Sequence, residues 1–473
     1  MSGKIITGDD YRRSLRDGRQ VYYDGSLVAD LSAHPRFTAA VDVTAASYDR
    51  AMEQRDASDQ PDQELEYPRT EADLRWQVEE FAGLEGSRDM TRLSTYSGLL
   101  GMQTAADRLE ADLPAYAGRV REFVHECRTT GRRCVPTITD SKADRRKGPA
   151  QQADPDQYLH VVDRREGGVV LRGAKLHIRG AAVVHELLVL PTKQMKPGEE
   201  EWAVACAVPV NAPGLKVVNV VPGGPSEAAA YYPYSYDRTI PMGFVIFDDV
   251  FVPEERVFLC GETAHSATFV HSFGVWDRIS SAGLMAADAD LYVGLAQLLA
   301  EANGVDRVHH VRDKIAELVL HATMVRAGLE AAIANATMTA EGFLVPSELY
   351  TNAAKHHAST NIHRMMMLIQ DIAGGSLINA PLPGDLDSEE IGALVKKYMR
   401  GTDWADGEYR ARLLYGARDI VADTYAGHWQ VAGLHGSGGP YAQRLVARKQ
   451  YHMEAAKQRA LSAIGLTAAE PGV

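Results

Sequence analysis

The stretch DPDQYLHVVDRREGGVVLRGAKLHIRG, residues 154–180, sets the architecture. Two runs of β-type residues, Tyr158–Val162 and Val169–Ile178, flank Glu166-Gly167-Gly168, a tight-turn sequence. Four further runs follow: Leu187–Pro191, Trp202–Val210, Leu215–Val221 and Gly243–Val252, all punctuated by Gly or Pro. No segment of crossover-helix length separates these runs. The middle of the chain therefore predicts an antiparallel barrel or sandwich, not a parallel α/β sheet.

On either side the texture is helical. In Asp73–Leu84, residues Leu74, Val78, Phe81 and Leu84 recur at helical spacing. Ala105–Thr129 carries Leu109, Leu113, Tyr116, Val120 and Phe123 on one stripe, and Pro114 predicts a kink or a break into two helices. Thr7 with Asp10 is a capping-box pattern with Asp in the Glu position. Beyond Ala267, Val311, Ile315, Leu318, Ala322, Val325, Leu329 and Ile333 keep an amphipathic period, as in helices that pack in a bundle or against another subunit. The order is α, β, α, with expected domains at residues 1–137, 138–266 and 267–473.

The 473 residues are 45% hydrophobic and 24% charged, enough apolar content for a large core and against general disorder. Fifty Lys and Arg against 63 Asp and Glu give a net charge of −13, which argues against non-specific nucleic-acid binding. No run of about 18 apolar residues is present, so no membrane span is expected. The first residues carry no apolar leader, and a soluble, cytoplasmic protein is predicted. Cys127, Cys134, Cys206 and Cys260 are too few and scattered for a disulfide framework and read as ordinary thiols.

Strong signatures such as GxxxxGK[ST], HExxH, GxSxG or GxGxxG after a strand are missing. Polar clusters at segment junctions remain. Arg92 and Tyr96 lie four apart, so one helix face could offer a cation and a phenol to an anionic or phenolic substrate; an Arg stem covering a surface Tyr is the plainer reading of the spacing. The loop Thr139-Asp140-Ser141-Lys142-Ala143-Asp144-Arg145-Arg146 offers backbone N–H groups, Lys142 and Arg145 to an anion such as a pyrophosphate, or is a solvated charged loop. His177 and Arg179 end a strand that enters a turn, where His177 is a ligand contact or a structural residue. Gly374 and Gly375 permit close backbone approach. His435-Gly436-Ser437-Gly438-Gly439 precedes a helix and could bind an anion at its N-terminus, or form a plain interhelical loop. Met365, Met366 and Met367 read as core filler.

Taken in order, TDSKADR (139–145), the 154–175 hairpin, HELLVLPTKQM (185–195), VIFDDVFVPEERVFLCGE (245–262), QDIAGG (370–375) and HGSGGPYAQRL (435–445) resemble one family. It is that of the flavin-dependent 4-hydroxyphenylacetate 3-hydroxylases (oxygenase component) and the 4-hydroxybutyryl-CoA dehydratases. The resemblance implies an α+β multi-layer, acyl-CoA dehydrogenase-like fold: N-terminal helices, a middle antiparallel β-barrel and a C-terminal four-helix bundle. It also implies FAD between barrel and bundle and a homotetramer. The flavin would be reduced by a separate reductase and would hydroxylate an aromatic or related small molecule through a C4a-hydroperoxide. By resemblance the flavin contacts fall on Thr139, Asp140, Lys142, Asp144, Arg145, His177, Arg179, Gly374, Gly375, His435, Gly436 and Ser437, and the catalytic substrate anchors on Arg92 and Tyr96.

The departures separate the branches. The dehydratases hold an iron–sulfur cluster with three Cys and one His. Here Asp89–Tyr96 contains no Cys, and Asp277-Arg278 and Leu284 stand where the later ligands would fall, so no cluster is expected. The hydroxylases' substrate-contacting His falls at Pro136, and their flavin-side Thr at Arg179. The expectation is a divergent two-component monooxygenase. A cluster-free lyase or isomerase acting on an acyl thioester or small acid is the alternative, and a flavin-free binding protein is a third.

Overall fold

The computed structural model describes residues 4–58, 66–83, 88–141, 143–224 and 228–466. Five helices open the chain: α1 (Gly8–Ser14), α2 (Thr38–Ser58), α3 (Glu71–Ala82), α4 (Met90–Leu109) and α5 (Pro114–Thr130). Their boundaries follow local chemistry. Thr7 and Asp10 form both bonds of the capping box, and Thr70 with Asp73 repeats the device at α3. Pro114 takes the first turn of α5, so the expected break into two helices occurs there.

Strands β1 (Gln20–Tyr23), β2 (Ser26–Leu27), β3 (Cys134–Thr137), β4 (His160–Arg165), β5 (Gly168–Arg179), β6 (Glu186–Val189), β7 (Val204–Pro209), β8 (Leu215–Val220), β9 (Met242–Pro253) and β10 (Val257–Cys260) form two sheets. Their orders are β2-β1-β8-β9-β5-β4 and β10-β7-β6-β3. This corrects the expected antiparallel barrel: among the described residues the sheets do not close, and two pairings are parallel, β1 with β8 and β3 with β6. The reason is recruitment. Strands β1 and β3 come from the N-terminal helical zone, and β3 adds at a sheet edge, where the missing N–H of Pro136 costs no interior bond.

The C-terminal part holds α6 (Thr268–Ala302), α7 (His309–Ala334), the short pair β11 (Thr337–Met338) and β12 (Leu344–Val345), α8 (Glu348–Ala373), α9 (Ser376–Asn379), α10 (Pro383–Leu386), α11 (Gly392–Met399), α12 (Gly407–Val421), α13 (Thr424–His435), α14 (Pro440–Gln450) and α15 (Met453–Ala463). Helices α6, α7 and α8 pack pairwise, and shorter α12, α13 and α14 pack on α8 in place of a single long fourth helix. No described helix is long and apolar enough to cross a membrane.

Shared cores join the zones. One unites α3, α4 and the long C-terminal helices around Trp276; another packs Tyr11, Phe37 and Val41 of the first helical zone against both sheets. Helix α4 is pressed onto α6 so closely that a Cβ at Gly101 would stand 2.6 Å from Phe273 Cα, a backbone atom. Replacing Gly101 with Val is expected to cost about 1–3 kcal/mol through overpacking. An unchanged urea midpoint would show that the two helices separate freely.

Candidate active site

The pairing of β5 with β9 shifts twice, between Leu171 and Gly173 and between Lys175 and Ile178, and the second shift aims the site. Lys175 pairs with Val245 and Ile178 with Gly243, so three residue steps on β5 meet two on β9. The extra residue is a β-bulge. His177 sits in it with φ +63°, exposed on the surface. The bulge lets Lys175 and Ile178 both face the interior of the sheet pair, although an unbroken strand would send them to opposite faces. Arg179, next in line, is thereby turned away from the sheets toward the helices.

There Arg179 interacts with Asp277 of α6 and with Tyr425 and His428 of α13, and desolvation lowers its pKa. Burial pushes the Asp277 carboxyl up, opposed by the nearby Ser437, Arg179, Arg278 and Lys355, and the Ser437 hydroxyl donates to the Asp277 backbone carbonyl at 3.4 Å. Arg278 Nε donates to the Ser437 carbonyl at 2.9 Å, fixing the glycine loop 435–439 against α6. Lys355, on α8, has no solvent exposure; its Nζ donates to Gly433 O at 2.7 Å and Ser359 Oγ at 2.8 Å, and burial lowers its pKa to about 8. His428 is depressed to about 4 by burial and Arg179 and is neutral at pH 7. Three cations thus surround one carboxylate.

Helix α6 continues the wall. Asp277, Ser281, Leu284 and Asp288 recur at helical spacing on one face, about 16 Å from end to end. Burial raises the pKa of the Asp288 carboxyl to about 7, opposed by the nearby Trp429, Arg238 and Tyr234. Tyr234 and Tyr425 meet edge to face at 5.5 Å, and Arg238 lies 4.4 Å over the Tyr234 ring. Asp277, Asp288, Tyr234, Tyr425, His428 and Trp429 are all half-buried.

The start of α4 closes the same space. Helices α4 and α6 run antiparallel, since Thr104 bonds Trp276 at 3.0 Å and Ser97 bonds Ser280 at 3.2 Å. Continuing that register by two turns brings Asp288 level with residues 89–92. Arg88 pairs with Asp237 at 3.2 Å, and a Cβ at Gly180 would stand 3.4 Å from Thr91 Cγ2. Arg92 itself is buried, 3.5 Å from Glu80 and 5.2 Å from the centre of the Phe81 ring. Tyr96 is buried between Phe81 and Trp276, and its hydroxyl donates to Gln77, so α3 covers this pair.

Other residues singled out in the sequence are dispersed. Both oxygens of Asp140 are engaged inside the protein: Oδ1 with Lys175 Nζ at 2.8 Å and Leu159 N at 3.1 Å, Oδ2 with the Thr192 hydroxyl. Thr139 accepts from Leu176 N at 2.7 Å through its carbonyl. Asp144 is held below the usual carboxylate range by Arg146, and Arg145 is exposed. Lys142 lies outside the described residues. Gly436 is tied to Ala432 O at 2.7 Å, and His435 is exposed. Gly374 and Gly375 are exposed beyond the end of α8, about 28 Å along that helix from Lys355, with no atom within 4 Å of where a Cβ would stand. Pro136 packs against α4, its Cγ 3.4 Å from the Cβ position of Gly98.

Asp288, Tyr234, Tyr425, His428, Trp429 and Lys355 were not singled out in the sequence. The available signal was the pair Asp277 and Asp288, eleven apart on one face of a long helix rich in apolar residues.

These features define an α–β–α protein that closes two sheets and two sets of helices around an interior polar cluster. The chain belongs to the 4-hydroxyphenylacetate 3-hydroxylase family: the model of the family's N-terminal part matches residues 7–259 and that of its C-terminal part residues 266–465. It is 28% identical to a 4-hydroxybutyryl-CoA dehydratase/vinylacetyl-CoA-Δ-isomerase from Clostridium aminobutyricum, across 98% of this chain and 100% of that protein. It is also 28% identical to a 4-hydroxyphenylacetate 3-monooxygenase oxygenase component from a Geobacillus strain, across 96% and 95% of the two chains. A solved archaeal 4-hydroxybutyryl-CoA dehydratase from N. maritimus superposes with a TM-score of 0.88 at 26% identity, covering 99% and 97% of the chains.

Proposed function

We propose that this protein is the oxygenase component of a two-component flavin monooxygenase, using FAD reduced by a separate reductase to hydroxylate a small phenolic substrate. The observation that carries the reading is the enclosed cluster at the end of β5, where Arg179, Arg278 and Lys355 outnumber Asp277 between aromatic side chains. Buried charge without a partner is costly, so a cationic excess suits an anionic ligand. A reduced flavin is anionic and planar, and the set fits it in charge and in its aromatic surroundings.

Bound reduced FAD would supply the activation of O₂. The chain's own residues then have distinct tasks. Arg179 would hold negative charge at the end of β5, and Lys355 and Arg278 would fix the 433–439 segment that closes over it. The aromatic side chains of Tyr234, Tyr425 and Trp429 would exclude water, and Arg92 and Tyr96 would shape the opposite wall through α4. Gly374 and Gly375, distant from the cluster along α8, suit contact with a neighbouring subunit's cofactor. A homotetramer is part of this reading, and the exposed Leu320, Met324, Tyr441 and Leu445 provide apolar surface for it.

The dehydratase relative favours a second reading, a lyase or isomerase without an iron–sulfur cluster. Cys127, Cys134 and Cys206 are buried, Cys260 is half-buried, and Asp277 and Leu284 supply no thiolate to the α6 stripe. The readings part on oxygen. With reduced FAD and 4-hydroxyphenylacetate or 4-nitrophenol, turnover should require O₂ and place one ¹⁸O atom from ¹⁸O₂ in the product. Equal turnover without oxygen would favour the lyase, and failure to bind any redox state of FAD by calorimetry would favour a binding protein.

A further inference from the structure

We propose that Lys355 discriminates between the redox states of the flavin, its charge favouring the anionic reduced ring over the neutral oxidised one. The inference rests on the flavin reading above and deepens it by naming the residue that senses the charge. Six Lys and Arg side chains are buried among the described residues: Arg19, Arg92, Arg133, Lys175, Arg418 and Lys355. The first five each have a carboxylate at hand, in that order Asp17 at 2.8 Å, Glu80 at 3.5 Å, Asp89 at 3.6 Å, Asp140 at 2.8 Å and Asp423 at 3.1 Å. Lys355 is the exception.

Among the described residues its Nζ meets neutral atoms alone: Gly433 O at 2.7 Å, Ser359 Oγ at 2.8 Å and Met285 Sδ at 3.4 Å. These partners come from α13, α8 and α6, so the ammonium sits where three helices meet. Its closeness to α13 depends on Gly433. A Cβ there would stand 3.0 Å from Ile362 Cδ1 and 3.2 Å from Met285 Cε. Gly433 begins the segment that Arg278 grips at the Ser437 carbonyl. Arg278 in turn stands two turns before Met285 on the same face of α6, about 10 Å away. The charge is therefore lodged behind the loop and the cations proposed above to hold the flavin.

A buried ion without a counter-ion is costly, and an anion entering nearby relieves the cost. Lys355 has no hydrogen bond left for that anion, because its three N–H groups already have three acceptors. It acts through its field alone. A field is blind to the shape of the ring but responds to the one negative charge that separates the reduced anion from the oxidised form. A phosphate group is charged in both states and gains equally in both. Through about 10 Å, at an effective dielectric constant of about 20, a unit charge changes an ion's affinity roughly 10- to 20-fold. Burial lowers the Lys355 pKa to about 8, which leaves the ammonium protonated at pH 7.

The test titrates the full-length protein at pH 7 with oxidised FAD and, under argon, with dithionite-reduced FAD. The wild type should bind the reduced form more tightly. Lys355→Gln keeps an N–H for Gly433 O but removes the charge; it should weaken the reduced form about 10-fold and leave the oxidised form unchanged. That ratio corresponds to a fall of about 30 mV in the potential of the bound flavin, which a dye-equilibrated reductive titration reads separately. Lys355→Met loses the hydrogen bond as well and should show the same selective loss; urea unfolding establishes that each variant is folded before it is scored. Gly433→Ala pushes α13 outward with the charge retained, and should weaken both redox states alike. A wild type that binds both states equally, or a folded Lys355→Gln that changes both affinities or neither, overturns the proposal and leaves the flavin reading standing. A selective loss in Gly433→Ala assigns the preference to position instead of charge and overturns it too. A wild type that binds neither redox state removes the flavin reading, and this proposal with it.

Discussion

Replacing Asp140 with Ala is expected to cost about 3–5 kcal/mol of stability, the usual penalty for removing one partner of a buried ion pair. Asp140 and Lys175 have side chains only 3% and 2% exposed, and their charged atoms lie 2.8 Å apart. Lys175 Nζ also donates to Ile138 O and Leu190 O, at 2.8 and 3.0 Å. This one ammonium therefore ties the segment after β3 to β5 and to the end of β6. Without Asp140 it would remain buried beside neutral carbonyls alone. The double variant Asp140→Ala with Lys175→Met should recover most of the loss, because an apolar pair needs no charge compensation. Urea midpoints of the two variants measure both effects. A single variant within about 1 kcal/mol of wild type would mean that water reaches Lys175 and that the pair is no latch.

Arg179→Thr is expected to weaken binding of dithionite-reduced FAD by 10- to 150-fold, which corresponds to losing a charged hydrogen-bonding group worth about 1.5–3 kcal/mol. The measurement is an anaerobic fluorescence or calorimetric titration, so it does not depend on turnover. The sign of the result carries the information. If Arg179 compensates an anion, the smaller neutral side chain loses affinity. If Arg179 instead fills the volume that the ring would occupy, Arg179→Thr gains affinity, and the flavin-free reading of the wild type gains ground. Arg179→Lys separates charge from shape: a point charge should restore part of the affinity but not the planar, fork-like contact of a guanidinium.

The middle of the molecule was legible in the sequence because its strands are bounded by turn residues and filled with β-branched side chains. All six runs appear as strands, within two residues at most ends. The short strands β1 and β3 were not, since each has four residues and one contains Pro136. They become strands only because a neighbour offers its edge, which is a tertiary effect. The same limit applies to the site. Arg179 could be marked by its place after a strand and by resemblance, but the bulge that turns it toward α6 lies in the pairing with β9. Asp288 reads in sequence as one polar position in a long helix. Its surroundings are tertiary: Tyr425 and Trp429 of α13, more than a hundred residues later, come beside it and help to raise or lower its pKa.

The bulge in β5 has a consequence for how such a site can change over time. Side-chain direction on a strand has only two values, and here residue count decides between them. Loss of a residue inside the bulge would only restore ordinary alternation, but loss of Ile178 itself would put Arg179 in its place opposite Gly243, driving a guanidinium toward the sheet interior. A one-codon deletion could therefore remove the cation from the site while leaving both sheets and every helix of the scaffold in place. Strand length, as much as the identity of the residues, is part of this protein's chemistry.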